Sequence, residues 1–260
     1  MADHGDKFLV HWLDQSRAHR IVFMLELLGL DYDVEVYLRH HDTWRGPSEL
    51  FQVHPSGKAP ILEVFFADGR PSLKLAESGL IMQYLLKNYD PHNILNPTTE
   101  VDKLRVDYYL HYSEGTFQHI LLTMLINSVA KSIAPIGFKS LAKMVTKGLN
   151  NGYYIHEWKL NMEFLERQLD NEHTGYFVGN KLTAADVMLT FPVYENIFDN
   201  ENGIREVTGE KIDLFKTYPH LAAWSDRIAK HPIYIKVTDM MDDKVNEFIS
   251  QSQQVGKKRH

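Results

Sequence analysis

Two serines stand where a strand-like pattern gives way to a helix-like one. Ser16, preceded by Gln15, follows the apolar run Phe8 to Leu13 and leads Ala18, Ile21, Val22, Leu25 and Leu28 at helical spacing. Ser78, preceded by Glu77, follows Ser72 to Leu75 and leads Leu80, Ile81, Tyr84 and Leu85. A helix N-terminus presents unpaired backbone N–H groups and the positive end of its dipole, so it favours an anion. A hydroxyl at that end adds one more donor. Glu77 adds a carboxylate acceptor beside Ser78 and the donors of that helix start. Both serines also read as plain N-caps, for which serine is among the best residues.

Sulfur chemistry is constrained from the outset. The chain contains no cysteine, so it has no disulfide, no thiolate-built zinc site and no thiol nucleophile of its own. A reaction at sulfur would use the sulfur of a bound ligand. Acids outnumber Lys and Arg by 34 to 28, for a net charge of −6, which disfavours a broad electrostatic grip on nucleic acid. Apolar residues make up 44% and charged residues 24% of the 260, as in an ordinary soluble globular protein. No run of about 18 apolar residues spans a membrane. The polar start and the short first apolar run do not form a secretory signal, so a cytoplasmic location is expected.

The elements that must position the two serines are legible. Phe8 to Leu13 and Val34 to Leu38 read as strands flanking the helix that Gly29 stops, a βαβ unit. A loop from Arg39 to Gly57 holds a short helix around Ser48 to Val53. Pro60 opens a third strand, where a missing N–H is tolerated, and a cis Ala59–Pro60 bond suits that position. Asp68–Gly69 turns the chain into a fourth strand, and Ser78 starts the next helix. The segment 91–98, with Asp90-Pro91 and Asn96-Pro97 turns, is a linker. Everything beyond reads as helix: Val101 to Ser132, Phe138 to Leu149, Tyr153 to Leu169, Thr183 to Phe198 and Leu221 to Lys230. Thr183 and Asp186 are spaced as a capping box and are read as structural. Gln251 to His260 reads as a frayed polar tail.

Four segments carry a family resemblance. His11-Trp12-Leu13-Asp14-Gln15-Ser16-Arg17-Ala18-His19-Arg20 resembles the strand-to-helix turn of soluble glutathione transferases. His54-Pro55-Ser56-Gly57-Lys58-Ala59-Pro60 resembles their Asn-Pro-x-Gly-Lys-Val-Pro segment, with His54 in place of Asn and Ala59 in place of Val. Leu75-Ala76-Glu77-Ser78-Gly79-Leu80-Ile81 resembles their Glu-Ser-x-x-Ile segment, and Leu182 to Val187 their Ser/Thr-x-x-Asp helix start. The order and gaps also match. The first motif and Leu110-His111-Tyr112-Ser113-Glu114-Gly115 are most similar to fungal members of the yeast, endoplasmic-reticulum-associated type.

The resemblance implies a fold class: an α/β thioredoxin-like domain over residues 1–90, a linker, and an all-α domain over 99–260. It implies glutathione as co-substrate, no metal, and small hydrophobic electrophiles as partners. Ser16 would stabilise the thiolate, with Gln15 as a second donor. Glu77 and Ser78 would hold the γ-glutamyl end, the backbone of Ala59 before Pro60 the cysteinyl unit, and Lys58, assisted by Arg45, the glycyl carboxylate. Tyr108, Tyr112 and Phe117 would wall the electrophile site between the domains. A homodimer is also implied. Glutathione-dependent peroxidase or disulfide reductase activity, and a non-catalytic binding role, stand as alternatives. One feature is independent of the resemblance. Gly115 to His156 lacks any acid, and Lys139, Lys143 and Lys147 form one stripe of a helix, the pattern either of a solvated face or of a peripheral contact with an anionic membrane such as the endoplasmic reticulum.

Overall fold

The computed structural model describes residues 5–209 and 211–257. The chain divides into two compact units, Met1–Asn96 with Lys230–His260, and Pro97–Ala229.

The first unit is built on four strands, β1 (Lys7–Leu13), β2 (Tyr32–Tyr37), β3 (Ile61–Phe65) and β4 (Leu73–Ala76), ordered β2-β1-β3-β4. β1 runs parallel to β2 and antiparallel to β3, and β3 runs antiparallel to β4. Helix α1 (His19–Leu28) crosses between the parallel pair, α2 (Leu50–Val53) is a single turn, and α3 (Ser78–Tyr89) follows β4. Seven residues of α1 are buried, from Arg20 through Leu25 and Leu28. A helix so apolar all round must be covered on every side. Phe8, Val10 and Trp12 alternate along the buried face of β1. Gly29 ends α1 at φ 65°, its N–H reaching the Glu26 carbonyl at 3.1 Å while Leu30 N–H reaches Leu25 O, a glycine-closed helix stop.

The remaining cover of α1 comes from the far end of the chain. The closing helix, α12 (Pro232–Lys257), packs on α1 and β2. Phe23 sets its ring edge-on to Tyr234 at 5.2 Å and to His231 at 5.6 Å. Lys236 Nζ meets Glu26 at 2.6 Å, and Thr238 Oγ1 lies 3.3 Å from His19 Nε2. The compact division thus differs from the expected domain 99–260: the closing segment belongs with the sheet, because its apolar residues complete the covering of α1. Gln251 to Lys257, expected as part of a frayed tail, continue that helix; residues 258–260 of that tail lie outside the described residues.

The second unit is helical. α4 (Glu100–Tyr112) and α5 (His119–Ile133) are joined without a break by a π-helical segment, Ser113–Gln118. α6 (Lys139–Leu149) continues through a second, Asn150–Tyr154, into α7 (Ile155–Glu172), and α8 (Ala184–Leu189) through a third, Thr190–Phe198. α9 (Glu201–Thr208), α10 (Leu214–Thr217) and α11 (Pro219–Ala229) complete it. The capping box at α8 is formed. The fully buried Asp186 carboxylate accepts from Thr183 N–H (2.9 Å) and Oγ1 (3.0 Å), Phe177 N–H (3.1 Å) and Trp224 Nε1 (2.9 Å). Glu166 of α7 likewise accepts from His220 and Leu221 N–H, both at 2.9 Å, and so caps α11 from outside it.

Candidate functional site

The strand register collects most of the predicted residues at one end of the first unit's sheet. His11 on β1 stands opposite Ile61 on β3, and Ile61 opposite Ala76 on β4. The chain leaving β1 (Asp14 to Ala18), the chain entering β3 (Ala59–Pro60) and the chain leaving β4 (Glu77–Ser78) therefore meet at the same sheet end. Leu13 pairs with Tyr37, so the loop after β2 begins there as well. The Ala59–Pro60 bond is cis, as the sequence suggested. Gly57 leads into it at φ +56°, and a Cβ there would meet the Phe51 ring at 2.6 Å, so only glycine fits.

Ser16 does not open the helix. α1 begins at His19, its N-cap position is Ala18 with no side-chain cap, and Ser16 lies in the preceding turn. The helix thus starts three residues later than the sequence reading placed it. The buried Ser16 hydroxyl accepts from the Ala18 N–H at 3.2 Å. An accepting hydroxyl still has its own hydrogen to donate. Gln15 beside it is exposed, with a left-handed φ of 48°. The turn is held by Arg39. Its backbone N–H donates to Asp14 Oδ1 at 2.6 Å, its Nε to Asp14 O at 3.1 Å, and Nη2 to Gln15 O at 3.3 Å. Nη1 of the same side chain reaches Trp44 O at 2.9 Å, which ties the loop carrying Arg45 to this end of the sheet. Arg45 and Lys58 are both exposed. His54 turns its ring back on its own loop, with Nδ1 2.7 Å from Ser56 Oγ.

The start of α3 is more constrained. Glu77 adopts φ 72°, ψ 110°, a conformation a residue with a side chain rarely takes. Such backbone costs of order 1–3 kcal/mol and persists where the surroundings enforce it. Its side chain makes no cap bond and is exposed at the sheet end. Next to it the buried Ser78 hydroxyl accepts from Arg20 Nη2 at 2.5 Å, and Arg20 is itself fully buried. A guanidinium stays protonated at any ordinary pH. A full positive charge therefore sits directly behind Ser78 and the α3 N-terminus, and an exposed carboxylate stands beside them. This pair of opposite charges matches the α-carboxylate and α-ammonium of an amino-acid end group.

Sequence reasoning missed Arg20 and Arg39. The signal for Arg20 was present: a helix apolar on every side has no polar face for an arginine, so its guanidinium must be buried and must have partners. Arg39 gave none, since its role depends on where the loop folds back.

His11 lies within the sheet, between carboxylates. Its Nδ1 is 3.0 Å from Tyr37 OH and 3.3 Å from Glu35, and Nε2 is 3.8 Å from Glu63. Burial lowers its pKa despite those two acids.

The three aromatics expected to wall an electrophile site lie on α4 and the π-helical segment after it. Phe117 is fully buried and stacked against Tyr112, and Tyr112 is buried with its hydroxyl donating to Asn161 Oδ1 at 2.6 Å. Both are packed in the interior of the helical unit. Tyr108, stacked on Tyr112 at 5.6 Å, keeps an exposed ring. Among the described residues no cluster of three or more His, Cys, Asp or Glu is arranged to hold a metal ion.

Comparison with known proteins bears on the whole chain. Residues 16–88 match the family model for the glutathione S-transferase N-terminal domain, and residues 130–236 match that for the C-terminal domain. Glutathione S-transferase 1 of Saccharomyces cerevisiae is 31% identical over 226 residues, covering 86% of this chain and 91% of that protein. A crystal structure of a glutathione S-transferase from Actinobacillus pleuropneumoniae superposes with a TM-score of 0.65 at 30% identity, over 90% of this chain and 93% of its own. A glutathione transferase homolog from Lodderomyces elongisporus, crystallised with two glutathione molecules per subunit, has a TM-score of 0.67 at 20% identity, over 90% and 98%. The α/β unit with its four-stranded mixed sheet and the helical unit are those of this fold, and the chain belongs to the glutathione S-transferase family.

Proposed function

We propose that the protein binds glutathione at the sheet end of its first unit and transfers its thiol to hydrophobic electrophiles. The observation that carries this reading is the charge pairing at the α3 start, where exposed Glu77 stands beside Ser78 with the buried Arg20 guanidinium behind it. The γ-glutamyl end is read onto these residues: the ammonium on Glu77, the carboxylate on Ser78 and the α3 N–H groups. The cysteinyl unit pairs with the backbone of Ala59, and the glycyl carboxylate is answered by Lys58 and Arg45. Laid this way, the sulfur points to the turn holding Ser16, whose hydroxyl donates to it.

A free thiol titrates near ~8.5, and a drop of ~2 units needs roughly 2.7 kcal/mol of preference for the anion. Ser16 and the amino end of α1 are the groups assigned to that task. The thiolate then attacks an electrophilic carbon, a C–S bond forms, the leaving group departs as an anion, and the thiol proton has gone to water. The protein is further inferred to act as a homodimer, to be checked by sedimentation equilibrium.

Isothermal titration with glutathione and turnover of an aryl halide test the assignment together. Binding with turnover is expected. Ser16→Ala should leave binding within about threefold, raise the pKa of the bound thiol by about one unit, and lower turnover about tenfold, by the tenfold-per-unit rule. Absence of heat on titration would remove the assignment altogether. Binding without turnover on any electrophile would make the protein a glutathione-binding relative instead.

A further inference from the structure

The guanidinium of Arg39 grips the backbone of the turn that carries Ser16. Nε donates to Asp14 O at 3.1 Å and Nη2 to Gln15 O at 3.3 Å, so one edge of the fork takes two successive carbonyls. Nη1, on another edge, donates to Trp44 O at 2.9 Å and fixes the plane of the group. The loop that supplies this third acceptor is itself closed, with His40 N–H on Arg45 O at 2.9 Å and Trp44 N–H on His40 O at 2.8 Å. Two successive carbonyls face one partner only where the residue between them is curled. Gln15, at φ 48°, lies in the left-handed region, which a residue with a side chain takes at a cost unless its surroundings hold it there. The half-buried Arg39 supplies that hold.

Peptide geometry then sets the other side of the turn. In a trans peptide the N–H points opposite to the C=O, and the only cis bond among the described residues is Ala59–Pro60. With Asp14 O and Gln15 O turned toward Arg39, the Gln15 and Ser16 N–H groups are turned away from it. Neither of these two N–H groups is bonded among the described residues. Successive N–H groups on one side of a curled backbone form a concavity suited to an anion. A cation on the carbonyl side also polarises each peptide and strengthens its N–H as a donor.

We propose that Arg39 is the positioning residue of the thiol site: by clamping Asp14 O and Gln15 O it aims the Gln15 and Ser16 N–H groups at a bound thiolate, alongside the Ser16 hydroxyl. The inference rests on the proposal that glutathione binds with its sulfur at this turn.

Thiolates absorb in the ultraviolet, so a pH titration of the protein–glutathione complex gives the pKa of the bound thiol. Arg39→Gln removes the three side-chain bonds but keeps the backbone ties, Arg39 N–H to Asp14 Oδ1 at 2.6 Å and Asp14 N–H to Tyr37 O at 3.1 Å. Its bound thiol should titrate about one unit higher than the parent's, with turnover of an aryl halide about tenfold lower at a pH below both values. Glutathione should still bind in acid, where the thiol keeps its proton, which shows that the site is otherwise intact. Arg39→Lys keeps the charge but cannot span two carbonyls, so its thiol pKa should rise as well. Should the glutamine variant fail to fold, the lysine variant carries the same test. A lysine variant with the parent's thiol pKa would overturn the proposal, because charge alone would then suffice. So would a folded glutamine variant whose thiol titrates as the parent's does. A parent that binds no glutathione, or leaves its thiol at the ordinary pKa, would remove the glutathione reading itself and this inference with it.

Discussion

At Glu77 the backbone and the side chain serve different ends. Its φ of 72° and ψ of 110° cost a non-glycine residue conformational energy, while its carboxylate is exposed at the sheet end. Glu77→Gly relaxes the backbone and removes the carboxylate in one step. The variant should melt at the same temperature or higher, by an amount corresponding to up to about 1 kcal/mol, while its dissociation constant for glutathione rises at least tenfold. Glu77→Ala keeps the strained backbone and should lose the affinity without the gain in stability. Equal affinity in all three proteins would show that the carboxylate does not touch the ligand. Arg20 and Ser78 make the complementary case. Arg20→Gln should weaken binding through a lost charge, but at a buried site it should also destabilise the unit by a few kcal/mol. Ser78→Ala is therefore the cleaner probe of that contact.

A second residue-scale consequence concerns acid. Burial against α12 lowers the pKa of His19 to about 4, from an ordinary value of 6.5. A histidine depressed in the folded state binds its proton more readily when unfolded, so the unfolded chain gains a proton as pH falls below 6.5. Stability is then lost progressively from pH 6.5 down to about 4, by about 3 kcal/mol at most, and does not change further below that range. Denaturant melts across this window should show a shallower slope for His19→Gln than for the parent. Burial also lowers His11 and His231, and their titration acts in the same direction, so the comparison rests on the difference between the two proteins.

At the scale of elements, the strands and the cap of α8 were legible because each is a local pattern. β1 to β4 follow alternation or short apolar runs bounded by Gly and Pro, and Thr183 with Asp186 is a spacing rule that the structure repeats atom for atom. The start of α1 was not legible. Ser16 looks like a cap by residue type, yet the turn runs on to Ala18, because Arg39, 24 residues beyond Gln15, holds Asp14 and Gln15 in place. Nothing near Ser16 in sequence announces that. The continuity of α4 with α5 was legible as the single run Val101 to Ser132, but that of α6 with α7 was hidden, since a π-helical segment shifts the apolar period where it occurs. The Asp186 hub gives this scale its prediction. Asp186→Ala leaves four donors, two of them backbone N–H groups, without their acceptor in a fully buried site. The loss should be 3 kcal/mol or more, on the order of 1 kcal/mol for each donor stranded, and should be read as a fall in denaturant midpoint with no direct effect on the affinity of the protein that remains folded.

Across the whole molecule, the chain returns at its end to the place where it began. α12 closes over α1 through Phe23, Tyr234, the Lys236–Glu26 pair and the His19–Thr238 contact, and Val237 and Met241 on it are fully or nearly fully buried. Its sequence, with Asp239, Asp242, Asp243 and Lys244 among the apolar residues, drew no helix assignment from pattern alone, and its cover for α1 is a long-range fact. A chain ending at Ala229 should therefore fail in its first unit rather than its second. The apolar face of α1 would be bare, and burying a Val, Met or Tyr side chain is worth roughly 1.5–3 kcal/mol each, so losing several exceeds the stability of an ordinary domain. Hydrogen exchange should find the amides of β1, α1 and β2 unprotected in the truncated protein while those of α7 and α8 keep part of their protection, and glutathione binding should be abolished. Val237→Ala, a milder opening of the same contact, should cost about 1–3 kcal/mol and place the first loss of protection in the same elements. Protection lost first in α7 or α8 instead would mean that the closing helix does not govern the unit that holds the candidate site.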